Sequence, residues 1–112
     1  VIIICSSCAD GTGGEFFYKL LADEVSAEAA YQKLNDVEPS DTEFDQWEAQ
    51  ILARILCKAH VIIVSDKCDP NIITSMHIDH AYTLDEAIKK AQDLKGKDTK
   101  ITIIPDGISV IF

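Results

Sequence analysis

Two short runs of β-branched residues, Val1-Ile-Ile-Ile4 and Val61-Ile-Ile-Val64, stand apart with helix-patterned sequence between them. Each run is apolar on both faces, as in a strand covered by helices on either side. Strands of this kind separated by helices impose βαβ units with right-handed crossovers. The expected fold is therefore an α/β domain of three layers with a mainly parallel sheet. In such sheets ligands meet the loops at the carboxyl ends of the strands. Those loops are residues 8–15, 65–69 and 105–107, and each contains an Asp.

The intervening signals place the helices. Residues 14–38 read as helix in two pieces broken around residues 23–26, with Ser26 as the N-cap of the second and Pro39 ending it. Ser40-Asp-Thr-Glu43 reads as a capping box for a helix carrying Phe44, Trp47, Ile51 and Ile55, with Leu52 and Leu56 beside them. After the second strand, Asp69-Pro70 is an N-cap with proline in the first turn of a short helix to about Met76. Residues 78–81 form a brief third strand, Thr83-Leu-Asp-Glu86 caps a further helix, and Gly96 stops it. Residues 100–104 read as the next strand, and Pro105-Asp-Gly107 turns it into residues 108–112 as a C-terminal antiparallel β-ribbon.

The first strand runs straight into Cys5-Ser-Ser-Cys-Ala-Asp-Gly-Thr-Gly-Gly14. Gly11, Gly13 and Gly14 permit a turn that side chains would block, and the helix behind it leaves backbone N–H groups facing the loop, where an anion is favoured. The motif lacks the third glycine of a dinucleotide fingerprint and the Gly-Lys-Ser/Thr of a P-loop, and Asp10 would repel a phosphate. A tight strand-to-helix connection accounts for the glycines equally well on local pattern.

A net charge of -9, from 19 acidic against 10 basic residues, leaves no basic stripe for a phosphate backbone, so no nucleic-acid partner is expected. No apolar run approaches the roughly 20 residues that span a bilayer, so no membrane partner is expected either. The expected setting is the cytoplasm, with free thiols. Cys5-x-x-Cys8 is half of a redox or zinc motif with no second pair at ribbon spacing, Cys57 falls on a helix, and Cys68 lies beside a turn. These are read as inert structural thiols, with a thiol-redox domain as the competing interpretation. His77-x-x-His80 has a chelating spacing but no third ligand fixed by spacing, so no metal site is assigned. Trp47 on its apolar stripe reads locally as core, the alternative being an apolar wall at the edge of the domain. A chain of 112 residues that starts and stops on apolar runs is expected to be one domain of a longer protein.

Taken in order, the strand with Asp10-Gly-x-Gly-Gly14, the helix Asp45-Gln-Trp-Glu-Ala-Gln-Ile-Leu-Ala-Arg54, Val61-Ile-Ile-Val-Ser-Asp66, Thr83-Leu-Asp-Glu-Ala87 and Ile101-Thr-Ile-Ile-Pro-Asp-Gly107 resemble the C-terminal domain of the nickel-dependent lactate racemase family. The resemblance covers almost the whole chain. It implies a two-domain isomerase that inverts a small 2-hydroxy acid in the cleft between its domains, with this chain as one wall and inactive alone. In that family a nickel-pincer nucleotide takes a hydride from the substrate carbon and returns it to the opposite face, while histidines move the hydroxyl proton. The resemblance places the cofactor and catalytic groups in the chain's own N-terminal catalytic domain, so no catalytic residue and no metal ligand is assigned here. Trp47 matches the family's substrate-pocket tryptophan, which moves its reading from core to substrate binding. Asp10, Gly11, Gly13 and Gly14 match a family signature and are expected to line the cleft. The competing class is a non-enzymatic α/β module that binds an anion or small ligand at the glycine turn.

Overall fold

The computed structural model describes residues 1–9, 11–12 and 14–107. Among them, strands β1 (Ile2–Cys5), β2 (Val61–Val64) and β3 (Asp79–Ala81) form a parallel sheet in the order β1-β2-β3. Ile2 pairs with Val61 and Ile4 with Ile63, while Ile62 pairs with Asp79. Helices α1 (Glu15–Ala22), α2 (Ala27–Asn35) and α3 (Gln46–Leu56) link β1 to β2, α4 (Pro70–Ser75) links β2 to β3, and α5 (Leu84–Lys95) follows β3.

Alternation along β2 assigns its faces. Val61 and Ile63 pack with residues of α1–α4, among them Leu21, Ala30, Ala53 and Ile73. Ile62 and Val64 pack with Ile3, Ala81, Ala87 and Ala91 under α5. The sheet is thus covered by helices on both faces, giving the three layers that the strand and helix pattern requires.

The helix boundaries follow local chemistry. Ser26 accepts from the Ala29 amide at 3.2 Å, Asp69 from the Asn71 amide at 2.9 Å, and Thr83 from the Glu86 amide at 3.2 Å. Gly96, with φ at 95°, closes α5.

Three expectations change. Ser40-Asp-Thr-Glu43 does not open a helix: Pro39–Asp41 forms a 3₁₀ turn, the Ser40 hydroxyl donates to Asp41, and α3 starts only at Gln46. Proline fixes the φ of that turn and spends the would-be capping serine one turn too early. Residues 100–104 are irregular and exposed rather than a strand, with Ile103 82% exposed, because an alternating run needs a partner strand to become one. The other half of the expected C-terminal antiparallel ribbon, residues 108–112, lies outside the described residues. Finally β1, read as covered on both faces, is an edge strand of the described sheet, with Ile2 43% and Ile4 45% exposed.

Candidate functional site

The buried line of α3 is Gln46, Ala49 and Ala53, and the helix packs against α1 and α2 through these smaller side chains. Gln46 is buried without loss, since its amide donates to the Leu34 carbonyl at 3.3 Å and its oxygen accepts from the Glu43 amide at 3.2 Å. Of the larger residues taken from the sequence as the helix's apolar stripe, Ile55, Leu52 and Leu56 pack partly buried against the core, whereas those at the start of the helix turn outward. Trp47 is 62% exposed, Phe44 precedes the helix and is 79% exposed, and Ile51, one turn beyond Trp47, is also exposed.

The turn after β1 meets this helix start. Gly11 has φ 72°, the left-handed region that glycine enters without steric cost, and its amide donates to the Cys8 carbonyl at 3.1 Å. Gly14 is the extended N-cap residue of α1, and a Cβ there would lie 3.2 Å from the Asp45 carboxylate. Asp45 has φ 60°, a conformation that residues with a Cβ visit at a cost and that Asp tolerates better than most. A glycine on one side and a left-handed Asp on the other therefore let α1 and α3 begin side by side, with Phe16 and Trp47 both exposed near those starts. Asp10 and Gly13, expected in the same turn, lie outside the described residues.

A second set of contacts joins the carboxyl ends of β1 and β2. Ser65 is buried, and its hydroxyl donates to the Ser7 carbonyl at 3.2 Å while accepting from the Cys68 amide at 3.3 Å. Buried His80 places Nε2 2.8 Å from the Ser65 carbonyl. His77 instead places Nε2 3.2 Å from the Leu21 carbonyl, so the two histidines serve separate structural hydrogen bonds. Among the described residues no three His, Cys, Asp or Glu side chains gather in a way that could hold a metal ion. Residues 105–107 form an exposed turn. An open hollow lined by His60, His77 and Asp79 lies at the amino ends of β2 and β3, the opposite end from the glycine turn.

The family model of the lactate racemase C-terminal domain matches residues 1–112. This chain belongs to that family. It is 47% identical over 110 residues to the lactate racemase of Lactiplantibacillus plantarum and 43% identical over 111 residues to that of Thermoanaerobacterium thermosaccharolyticum. Those alignments cover 98% and 99% of this chain but 26% of each relative. The solved structure of the lactate racemase apoprotein from Thermoanaerobacterium thermosaccharolyticum superposes with a TM-score of 0.92 at 42% identity, covering 98% of this chain and 26% of that one. The chain thus spans about a quarter of the length of the lactate racemases it matches.

Local pattern located the glycine turn but misassigned Trp47, which only the family resemblance moved to a surface role. Asp45 was missed as a site-shaping residue. Its signal was an Asp immediately before the helix start, a residue type that accepts left-handed backbone.

Proposed function

We propose that the chain is the C-terminal domain of a two-domain, cytoplasmic isomerase resembling lactate racemase, and that it forms one wall of an active-site cleft against its own N-terminal catalytic domain. The observation that carries this reading is Trp47: a large aromatic surface left outside a helix whose core contact is already made by Gln46, Ala49 and Ala53. Exposed apolar area of that kind marks a surface that binds a ligand or a partner domain. In the assembled cleft the Trp47 ring would exclude water and fix one side of a small 2-hydroxy acid, while Gly14, by leaving room for Asp45, would keep the starts of α1 and α3 side by side beneath it.

The nickel-pincer nucleotide implied by the resemblance would supply hydride acceptance and return. The described residues do not fit the task of holding it, since no metal-binding cluster exists among them. Its place is assigned to the N-terminal domain, as are the groups that move the hydroxyl proton. What this chain contributes is shape and dryness. The test is racemisation of a single lactate enantiomer, followed by chiral analysis. The full-length protein is expected to racemise it, whereas residues 1–112 alone neither racemise it nor retain nickel. Stoichiometric nickel held by this chain after mild chelation would overturn the assignment, and activity on a different hydroxy acid or sugar would redirect the substrate.

A non-enzymatic anion-binding module remains the second reading, favoured by one feature: α1 has no side-chain cap at its N-terminus. Against it, Glu15 places a carboxylate in the first turn, held in its charged form by a hydrogen bond and charge pairing with Lys19. Tight binding of phosphate or a carboxylate by the isolated chain would favour the module.

A further inference from the structure

The sequence spacing pairs Cys5 with Cys8, but the fold sets Cys8 beside Cys68. Cys5 ends β1 two residues after Ile3 and so shares its face, the α5 side of the sheet. Cys68 packs on the other side, against the cluster built from Val61, Ile73 and Met76. Beyond Cys5 the chain leaves the strand, and Cys8 takes a left-handed conformation with φ 47°, its amide held by the Ser6 hydroxyl at 3.3 Å.

Ser65 ties the two loops together. Its single side-chain oxygen bonds the carbonyl of Ser7, the residue before Cys8, at 3.2 Å, and the amide of Cys68 itself at 3.3 Å. One oxygen bonded to both loops holds the residue before Cys8 beside the amide of Cys68, and a disulfide there would need the two Cα atoms about 4.4–6.8 Å apart. The thiols meet there: burial pushes the Cys68 thiol up, and the adjoining Cys8 thiol raises it further. Both cysteines are free and half-buried.

We propose that Cys8 and Cys68 form a reversible disulfide that latches the glycine-rich turn after β1 to the loop after β2. The oxidant is a low-molecular-weight disulfide. The Cys8 thiolate attacks one of its sulfurs, forming a mixed disulfide and releasing one small thiolate. Cys68 then loses its proton to solvent and attacks the Cys8 sulfur, releasing the second small thiolate. Two protein thiols are oxidised, one small disulfide is reduced to two thiols, and no other reactant is needed. In a reducing compartment the bond is transient, as sensing disulfides are. The pairing does not depend on which substrate the whole protein turns over.

The test is to expose the reduced protein to oxidised glutathione, trap remaining thiols with an alkylating agent and map the peptides. The expected result is a mass lower by two hydrogens without a glutathione adduct, a peptide joining Cys8 to Cys68, and a Tm raised by roughly 10 °C that dithiothreitol reverses, because the bond closes a long loop of the unfolded chain. Cys8→Ser and Cys68→Ser each abolish the linked peptide, and Cys5→Ser leaves it in place. A Cys5–Cys8 linkage, a stable glutathione adduct on Cys8, or four thiols still free after oxidation would overturn the proposal. The wild-type peptide map decides the matter even if a serine variant folds poorly.

Discussion

β1 and β2 carry nearly the same residues, Ile-Ile-Ile-Cys and Val-Ile-Ile-Val, and pair one for one, yet they sit in different surroundings. Val61 is buried at 4% exposure, while Ile2, its partner across the ladder, is 43% exposed and Ile4, on the same face, stays nearly half exposed. By register those two isoleucines lie on the α1–α4 side of the sheet, the side on which Phe16, Phe44, Trp47 and Ile51 are also exposed. Apolar sequence makes a strand, but burial is decided by what packs against it. The β2 half of the domain uses its apolar residues internally, and the β1 half presents them outward. On the proposed function, that outward surface is where the N-terminal domain and the substrate lie.

The comparison breaks most easily at the sheet. Ile62→Ala in this chain is expected to cost roughly 2–5 kcal/mol in chemical denaturation, whereas Ile4→Ala costs about 1 kcal/mol. Equal costs would show that β1 is as buried as β2. A cost for Ile4→Ala that grows in the full-length protein would sharpen the account, since the added domain would then cover that face.

Thr83→Ala tests the inward half, because among the described residues α5 is the only helix of the smaller cluster and carries this cap. The expected loss is about 1 kcal/mol. No loss would mean that α5 is held by packing of Ala87 and Ala91 alone.

The smallest effect is one of pH. The Tyr82 amide donates to Glu86, and Lys90 pairs with it, so the Glu86 carboxyl is held below the usual carboxylate range. A lowered folded pKa contributes stability above the unfolded value, and that contribution fades as pH falls through the folded one. Wild type should therefore exceed Glu86→Gln in Tm at neutral pH, with the gap closing on acidification below the ordinary carboxylate range. A gap independent of pH would remove the charge from the explanation.

Much of the fold was legible because its signals are local. Ser26, Asp69-Pro70, Thr83 and Gly96 act within one turn of themselves, and each marks the boundary it was read to mark. The failures came where a distant neighbour decides. The start of α3 is the exception, set by the nearby Pro39 turn and the left-handed Asp45, which shift it past the apparent capping box. Its inward face depends on α1 and α2 lying close, which selects Ala49 and Ala53 over the larger Trp47 and Ile51. Residues 100–104 have strand-like alternation, but no local signal supplies a partner. In the site, glycines announced the turn, but the joining of Ser7, Ser65 and Cys68 is a tertiary contact across 58 residues of chain and has no periodicity to reveal it.

The most direct test of the outward wall compares two readouts of Trp47→Ala: thermal or chemical unfolding of this chain, and lactate racemisation by the full-length protein. A ring that lines a cleft should cost the chain less than about 1 kcal/mol, within the range of surface substitutions. Turnover should fall about 10-fold or more, since loss of a positioning wall reaches the rate through substrate geometry and water access. The contradicting result is a stability loss of about 3–5 kcal/mol, the cost of truncating a buried Trp, with normal turnover in the protein that still folds.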